Sequence, residues 1–169
     1  MRYVIFAVTF LVAGCGSEEP TPPSLAPVED VADAGSSVFG QIEDAQSLTR
    51  LTDLIEVAGL TSVLADTSTA YTVFAPSNDA FESSGIDLEV DSLRAREIVL
   101  SHVLSTRMLT FDVFPDLSIE TLGGSEISFA EAGEGLSVIG PGGTGRIIES
   151  DLDTDNGVVH VIDTVISPR

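Results

Sequence analysis

The side chains that could do chemistry are few and widely spaced along the chain. The 169 residues include two histidines, His102 and His160, and one cysteine, Cys15. The sequence lacks the Gly-x-Ser-x-Gly elbow of serine hydrolases, the His-Glu-x-x-His zinc motif and a neighbouring Cys/His pair. We therefore predict no catalytic residue and a protein that is not an enzyme. The 27 Asp and Glu residues leave one alternative open, a hydrolase that uses a pair of carboxylates.

Three aspartates alternate near the C-terminal end of the chain, at Asp151, Asp153 and Asp155. Carboxylate oxygens are the ligands that Ca²⁺ prefers. An EF-hand loop that starts at Asp151 would need an acid at its twelfth position, where Ile162 stands, and its glycine comes one place late. We expect no metal and no cofactor, and the three aspartates are the calcium candidates of an alternative, a calcium-stabilised binding module.

Residues 140–145, GPGGTG, fit the dinucleotide pattern Gly-x-Gly-x-x-Gly. That pattern binds phosphate only when a helix follows it, and here β-branched residues follow instead. The segment therefore predicts a glycine-rich hairpin loop.

The charge of the chain is strongly negative. Seven arginines and no lysine stand against 27 acids, which gives a net charge of -20. Such a field repels phosphate backbones. The composition argues against nucleic acid as a partner.

The N-terminal segment is typical of an exported protein. Arg2 precedes an apolar run, residues 3–13, that is too short to cross a bilayer but suits a signal peptide. Residues 12–15, where this run ends, read VAGC and resemble the lipobox of bacterial lipoproteins, in which the cysteine receives a diacylglyceryl thioether. We expect a signal peptide over residues 1–14 and a lipid anchor on Cys15. A disordered tether rich in proline and acids would then cover residues 15–36.

Helical signals come first in the rest of the chain and strand signals come later. Apolar residues recur at helical spacing between Ser37 and Ala70, with Gly59 placed to end one helix and Thr61 to cap the next. Residues 71–75, YTVFA, predict a strand, Pro76 its end, and Ser77 the cap of a short helix. Another helix is predicted over residues 92–104. Five strands should follow, over residues 117–122, 126–130, 136–139, 146–149 and 158–166.

Four blocks of the sequence resemble motifs of the fasciclin-domain family. Residues 71–81, YTVFAPSNDAF, are similar to its first signature, and residues 156–166, NGVVHVIDTVI, are similar to its closing strand. Between them lie His102-Val103, similar to a Tyr-His motif whose tyrosine is Ser101 here, and residues 121–124, TLGG. The resemblance implies an α+β fold over residues 37–169: a wedge-shaped β-sandwich with several α-helices packed at one end.

The resemblance also implies a function and a set of residues. It implies a non-catalytic adhesion or partner-binding module, with Asp151 and Leu152 at the positions of an integrin-linked pair in animal relatives. The partner would be an extracellular or envelope protein or polysaccharide. We interpret the polar motif residues Asp79, His102 and His160 as buried groups that serve the architecture. With the lipobox, the expected location is the bacterial cell envelope, anchored to the outer membrane and either periplasmic or exposed on the cell surface.

Overall fold

The computed structural model describes residues 36–86, 90–115, 117–132 and 135–166. The predicted signal peptide, Cys15 and the tether up to residue 35 lie outside these residues. Ser36, the last residue of the predicted tether, already belongs to the folded domain, because its carbonyl accepts a hydrogen bond of 3.2 Å from the Asp155 N–H.

The helices of the described ranges lie mostly before the strands. They are α1 (Val38–Asp44), α2 (Thr49–Ala58), α3 (Thr61–Leu64), α4 (Asn78–Ser84) and α5 (Ser92–Leu100), with a 3-10 turn (Gln46–Leu48) before α2. Within the described part of the chain, no helix combines the length and the apolar character that a membrane crossing needs.

The helix ends follow the sequence signals in part. Gly59 ends α2 in the left-handed region (φ 66°), and the Ser77 hydroxyl accepts the Ala80 N–H at the start of α4, both as predicted. The predicted cap at Thr61 is wrong, since α3 starts at that residue and its N-cap, Leu60, makes no side-chain bond. The helix predicted over residues 92–104 ends at Leu100, because residues 103–104 pair with a strand instead.

Seven strands of the described ranges form one sheet. They are β1 (Tyr71–Pro76), β2 (Val103–Leu104), β3 (Ser118–Glu120), β4 (Glu126–Ala132), β5 (Gly135–Gly140), β6 (Gly143–Thr154) and β7 (Gly157–Ile162), in the spatial order β2-β1-β7-β6-β5-β4-β3. The first part of β6 pairs with β5 and the rest with β7, so this strand joins the two halves of the sheet. The Leu122 N–H donates to the Val103 carbonyl at 2.8 Å, which brings the two ends of the sheet together in a barrel-like arrangement.

Two strands are central to this arrangement. β1 and β7 run parallel, with Phe74 opposite His160, and both strands are buried along their whole length. Alternate side chains of a strand face opposite sides. Val73 and Val159 accordingly pack into the core under the helices, whereas Phe74 and Ile162 pack into a second core between the strands. The predicted α+β architecture, with helices mostly before strands, is confirmed.

The turn before β7 fixes the start of the domain. Buried Asn156 accepts the Val38 N–H through Oδ1 at 2.7 Å, and its Nδ2 donates to the carbonyls of Leu64 and Asp66, each at 2.9 Å. The backbone of Gly157 does not have a positive φ. Glycine is required there because an added Cβ would overlap the Tyr71 carbonyl oxygen.

We predict that Gly157→Ala destabilises the domain by roughly 3 kcal/mol, the upper part of the range for overpacked sites. The Cβ cannot be accommodated, because Val38 Cγ2 lies 2.9 Å away on a second side. The matched control is Gly135→Ala in β5, where an added Cβ meets nothing within 4 Å. Urea unfolding of both variants measures the difference, and equal midpoints would contradict the prediction.

Candidate functional site

The irregular part of β6 contains the residues for which partner binding was predicted. Glu149 pairs with Val161 and Leu152 with Val159, so Ser150 and Asp151 together face the single residue His160. This is a β-bulge, and Asp151 adopts φ 59°, unusual for a residue other than glycine. The bulge turns the Asp151 backbone N–H out of the ladder.

His160 fills the gap that the bulge leaves in the ladder. Its Nδ1 accepts the Asp151 N–H at 3.1 Å, and its Nε2–H donates to the Met108 carbonyl at 3.0 Å. The imidazole is 1% exposed and stacks on Phe74, with ring centroids 5.3 Å apart. Burial lowers the pKa of His160 despite the opposing effects of the Met108 carbonyl and the Asp151 carboxylate. The ring is therefore a neutral connection between β7, the bulge and the chain around Met108.

The Asp151 carboxylate binds the same stretch of chain. One oxygen accepts the Thr110 N–H at 2.8 Å, and the other accepts the Thr110 hydroxyl. Partial burial opposes ionisation, but the bonds from Thr110 and the proximity of His160 outweigh it, so the pKa of Asp151 is lowered. Asp151 is thus an ionised carboxylate, and each of its two oxygens is bonded to Thr110.

The stretch from Thr106 to Pro115, which we call the 106–115 segment, is attached at further points. The Thr72 hydroxyl donates to the Thr106 carbonyl at 2.7 Å and accepts the Met108 N–H at 2.8 Å. The Nη2 nitrogen of Arg107 donates to both carboxylate oxygens of Asp153, at 2.6 and 2.7 Å. The segment has no regular structure except a 3-10 turn at residues 110–112, and these bonds define its path.

The predicted site residues are placed differently from one another. Leu152 is half-buried and packs on the core under the helices. Asp79 is exposed in the first turn of α4, and the expectation that it is buried is wrong, because the strand signature ends before it and a new helix presents it to solvent.

The three aspartates predicted as calcium ligands are bonded to different groups of the protein. Asp151 binds Thr110, Asp153 binds Arg107, and the described bond of Asp155 is made by its backbone N–H. Among the residues that the structure describes, no three His, Cys, Asp or Glu side chains are grouped to hold a metal ion.

His102 occupies a separate buried position between α5 and the end of the chain. Its Nδ1–H donates to the Ile98 carbonyl at 2.7 Å, and its Nε2 accepts the Ile166 N–H at 2.8 Å. The Ser101 hydroxyl, in place of the motif's tyrosine, lies 2.6 Å from the Ile166 carbonyl oxygen. Burial lowers the pKa of His102 to about 4, although the Ile98 carbonyl acts in the opposite direction.

The two imidazoles have the same chemical limitation. In each ring one nitrogen donates to a backbone carbonyl and the other accepts a backbone N–H. A general base needs a free lone pair within reach of the proton that it removes. Neither histidine presents such a lone pair.

Sequence reasoning missed the part of this region that faces solvent. Phe111 and Phe114 lie in the 106–115 segment with 73% and 65% of their surface exposed. The sequence pattern there predicted neither a helix nor a strand, and periodicity carries no information on exposure outside regular elements.

The stability of the domain should fall in mild acid through His102. The unfolded histidine has a pKa of 6.5 and the folded one a pKa of about 4, so the unfolded state binds more protons between these values. The stabilisation is complete above pH 6.5 and is lost as the pH falls toward 4. We expect a loss of about 2 kcal/mol between pH 7 and pH 5.

The measurement is the free energy of unfolding at both pH values for the wild type and for His102→Gln. The other ionisable groups are the same in both proteins, so the difference between the two losses isolates His102. Equal losses in the two proteins would contradict the assignment.

Comparison with known proteins identifies the family and the fold of this chain. The Fasciclin domain family model matches residues 46–168. The FAS1 domain pair from the insect cell adhesion molecule Fasciclin I superimposes with a TM-score of 0.69 over 79% of this chain and 51% of that one, at 16% sequence identity.

Relatives occur in bacteria and in animals. Protein sll1483 of Synechocystis is 25% identical over 169 residues, covering 96% of this chain and 91% of that protein. Cell surface glycolipoprotein MPB83 of Mycobacterium bovis is 31% identical over 58% of this chain and 44% of its own length. The pig transforming growth factor-beta-induced protein ig-h3 is 29% identical over 75% of this chain, which spans only 19% of that protein. The chain belongs to the fasciclin-domain family.

Proposed function

We propose that this protein is a non-catalytic, extracytoplasmic adhesion or partner-binding module, held on the bacterial cell envelope by a lipid on Cys15. The observation that carries the non-catalytic part is the engagement of both histidines, because each ring nitrogen is bonded to the backbone. Membership of a family that includes a cell adhesion molecule supports the binding part. The partner is an envelope or extracellular protein or polysaccharide.

The region around the β6 bulge is the proposed binding region, with Asp151 as a positioning residue. Its carboxylate holds Thr110, and with it the exposed part of the 106–115 segment. Leu152 contributes by packing the next residue of β6 against the core. The two residues of the predicted pair would thus contribute to binding by holding the surface in position, not by contacting the partner themselves.

Binding can be tested with the soluble domain, residues 31–169, whose hydrophobic cores consist of residues from Val38 onward. We expect saturable retention on native envelope or matrix material, and at least about tenfold weaker retention for Asp151→Ala, since the loss of a positioning contact removes part of the ordered surface. The matched control is Asp53→Ala, which removes an exposed carboxylate from α2. No retention of the wild-type domain would contradict the proposed function, and equal weakening by both variants would contradict the role of Asp151.

The anchor is tested separately on the full chain. The proposal rests on the lipobox-like residues 12–15 and finds support in a relative whose name describes a cell surface glycolipoprotein. We expect the wild type to partition into the detergent phase with the membrane fraction, and Cys15→Ser to remain in the aqueous phase, because the thioether cannot form without the thiol. A Cys15→Ser protein that still follows the detergent would refute the anchor.

A further inference from the structure

We propose that Phe111 and Phe114 form a docking surface for a partner-protein segment that carries Lys or Arg beside apolar side chains. This inference rests on the proposed binding function and names the chemistry of the partner. The two phenylalanines are 73% and 65% exposed. By contrast, the remaining described phenylalanines, at 39, 74, 81 and 129, are at most 8% exposed.

The backbone that carries these two rings is attached to the rest of the domain. Val113, which lies between them in the chain, is buried in the core between the strands, as is Met108 before them. Thr110 is bonded to Asp151 through both its N–H and its hydroxyl. The backbone is therefore attached at several points close to the rings, and binding there would cost less conformational entropy than binding to a free loop.

The size of the rings suits a binding centre. An aromatic side chain presents on the order of 150–250 Å² of surface, and aromatic residues surrounded by polar groups are typical of the residues that dominate binding energy. Exposed apolar side chains elsewhere, such as Leu93 in α5, stand without an aromatic neighbour in the adjacent sequence.

The charge around the rings indicates a cationic partner. The exposed Asp112 lies between them in the chain, and Asp151 contacts the residue before Phe111. Arg107, the basic residue of the segment, is already neutralised by its ion pair with Asp153. A second copy of this chain, with a net charge of -20, would be repelled, and so would an anionic lipid surface. Basic and apolar groups side by side complement this surface.

The test uses a displayed library of random 12-residue peptides, selected at low salt on the immobilised domain of residues 31–169. We expect the selected peptides to combine Lys or Arg with aromatic or aliphatic residues. A synthetic peptide of the selected sequence should bind at least about tenfold more weakly to Phe111→Ser/Phe114→Ser, and more weakly to the wild type as salt rises. The matched control, Leu93→Ser, removes an apolar side chain that is 74% exposed on α5 and should leave the affinity unchanged.

Several outcomes would overturn the inference. These are the absence of any enriched peptide, selected peptides without basic residues, and equal affinity of the double variant and the wild type. Sedimentation and phosphatidylcholine vesicles provide two further checks, since self-association or vesicle binding that depends on the two rings would assign the surface to another occupant. An unchanged melting temperature establishes that the double variant is folded, and if it is lowered the two single variants take its place.

The inference and the proposed function fail in different ways. Retention on envelope material that the double variant preserves would leave the binding function standing and overturn the role of the two rings. If the wild-type domain is not retained on envelope or matrix material, the binding function is refuted. The peptide selection tests the surface formed by the two rings independently of that material.

Discussion

The parallel pairing of β1 with β7 is the constraint on which the other contacts depend. It joins residues 71–76 to residues 157–162, which lie far apart in the chain, and buries both strands on both faces. The pairing requires Gly157, because the Tyr71 carbonyl approaches its Cα too closely for any side chain. Asn156 then satisfies the start of α1 and the end of α3 from the same turn. One strand pair thereby positions the helices, the second core and the β6 bulge.

The two histidines extend this constraint to the irregular parts of the chain. A backbone group in a loop, in a β-bulge or in the last turn of a helix lacks a regular partner, and leaving it unbonded in a buried place costs about 1–3 kcal/mol. A neutral imidazole donates at one end and accepts at the other, so a single side chain bonds two such groups. His160 does this for Asp151 and Met108, and His102 does it for Ile98 and Ile166. Burial keeps both rings neutral, as this role requires.

The features that could be predicted from the sequence are those that depend on a few neighbouring residues. The β-branched run at residues 71–75, the cap at Ser77 and the left-handed Gly59 each have a local cause, and the structure agrees with them. The end of α5 at Leu100 and the close approach at Gly157 depend on distant strands, which no local pattern contains. The exposure of Asp79 follows from the direction in which α4 leaves the sheet.

The candidate site shows the same limit more sharply. Asp151 could be singled out by its position in a familiar motif, but the motif does not reveal that both carboxylate oxygens are used by Thr110, 41 residues earlier in the chain. Because the Asp151 carboxylate has this internal role, we expect it to affect the binding of a partner mainly by holding Thr110 in position. The strained φ of Asp151 is consistent with this, since a residue held in a sparsely populated region must be fixed by its surroundings, here by His160 and Thr110. The side chains available to a partner from solvent are therefore the aromatic residues that follow Thr110, rather than the residues of the bulge itself.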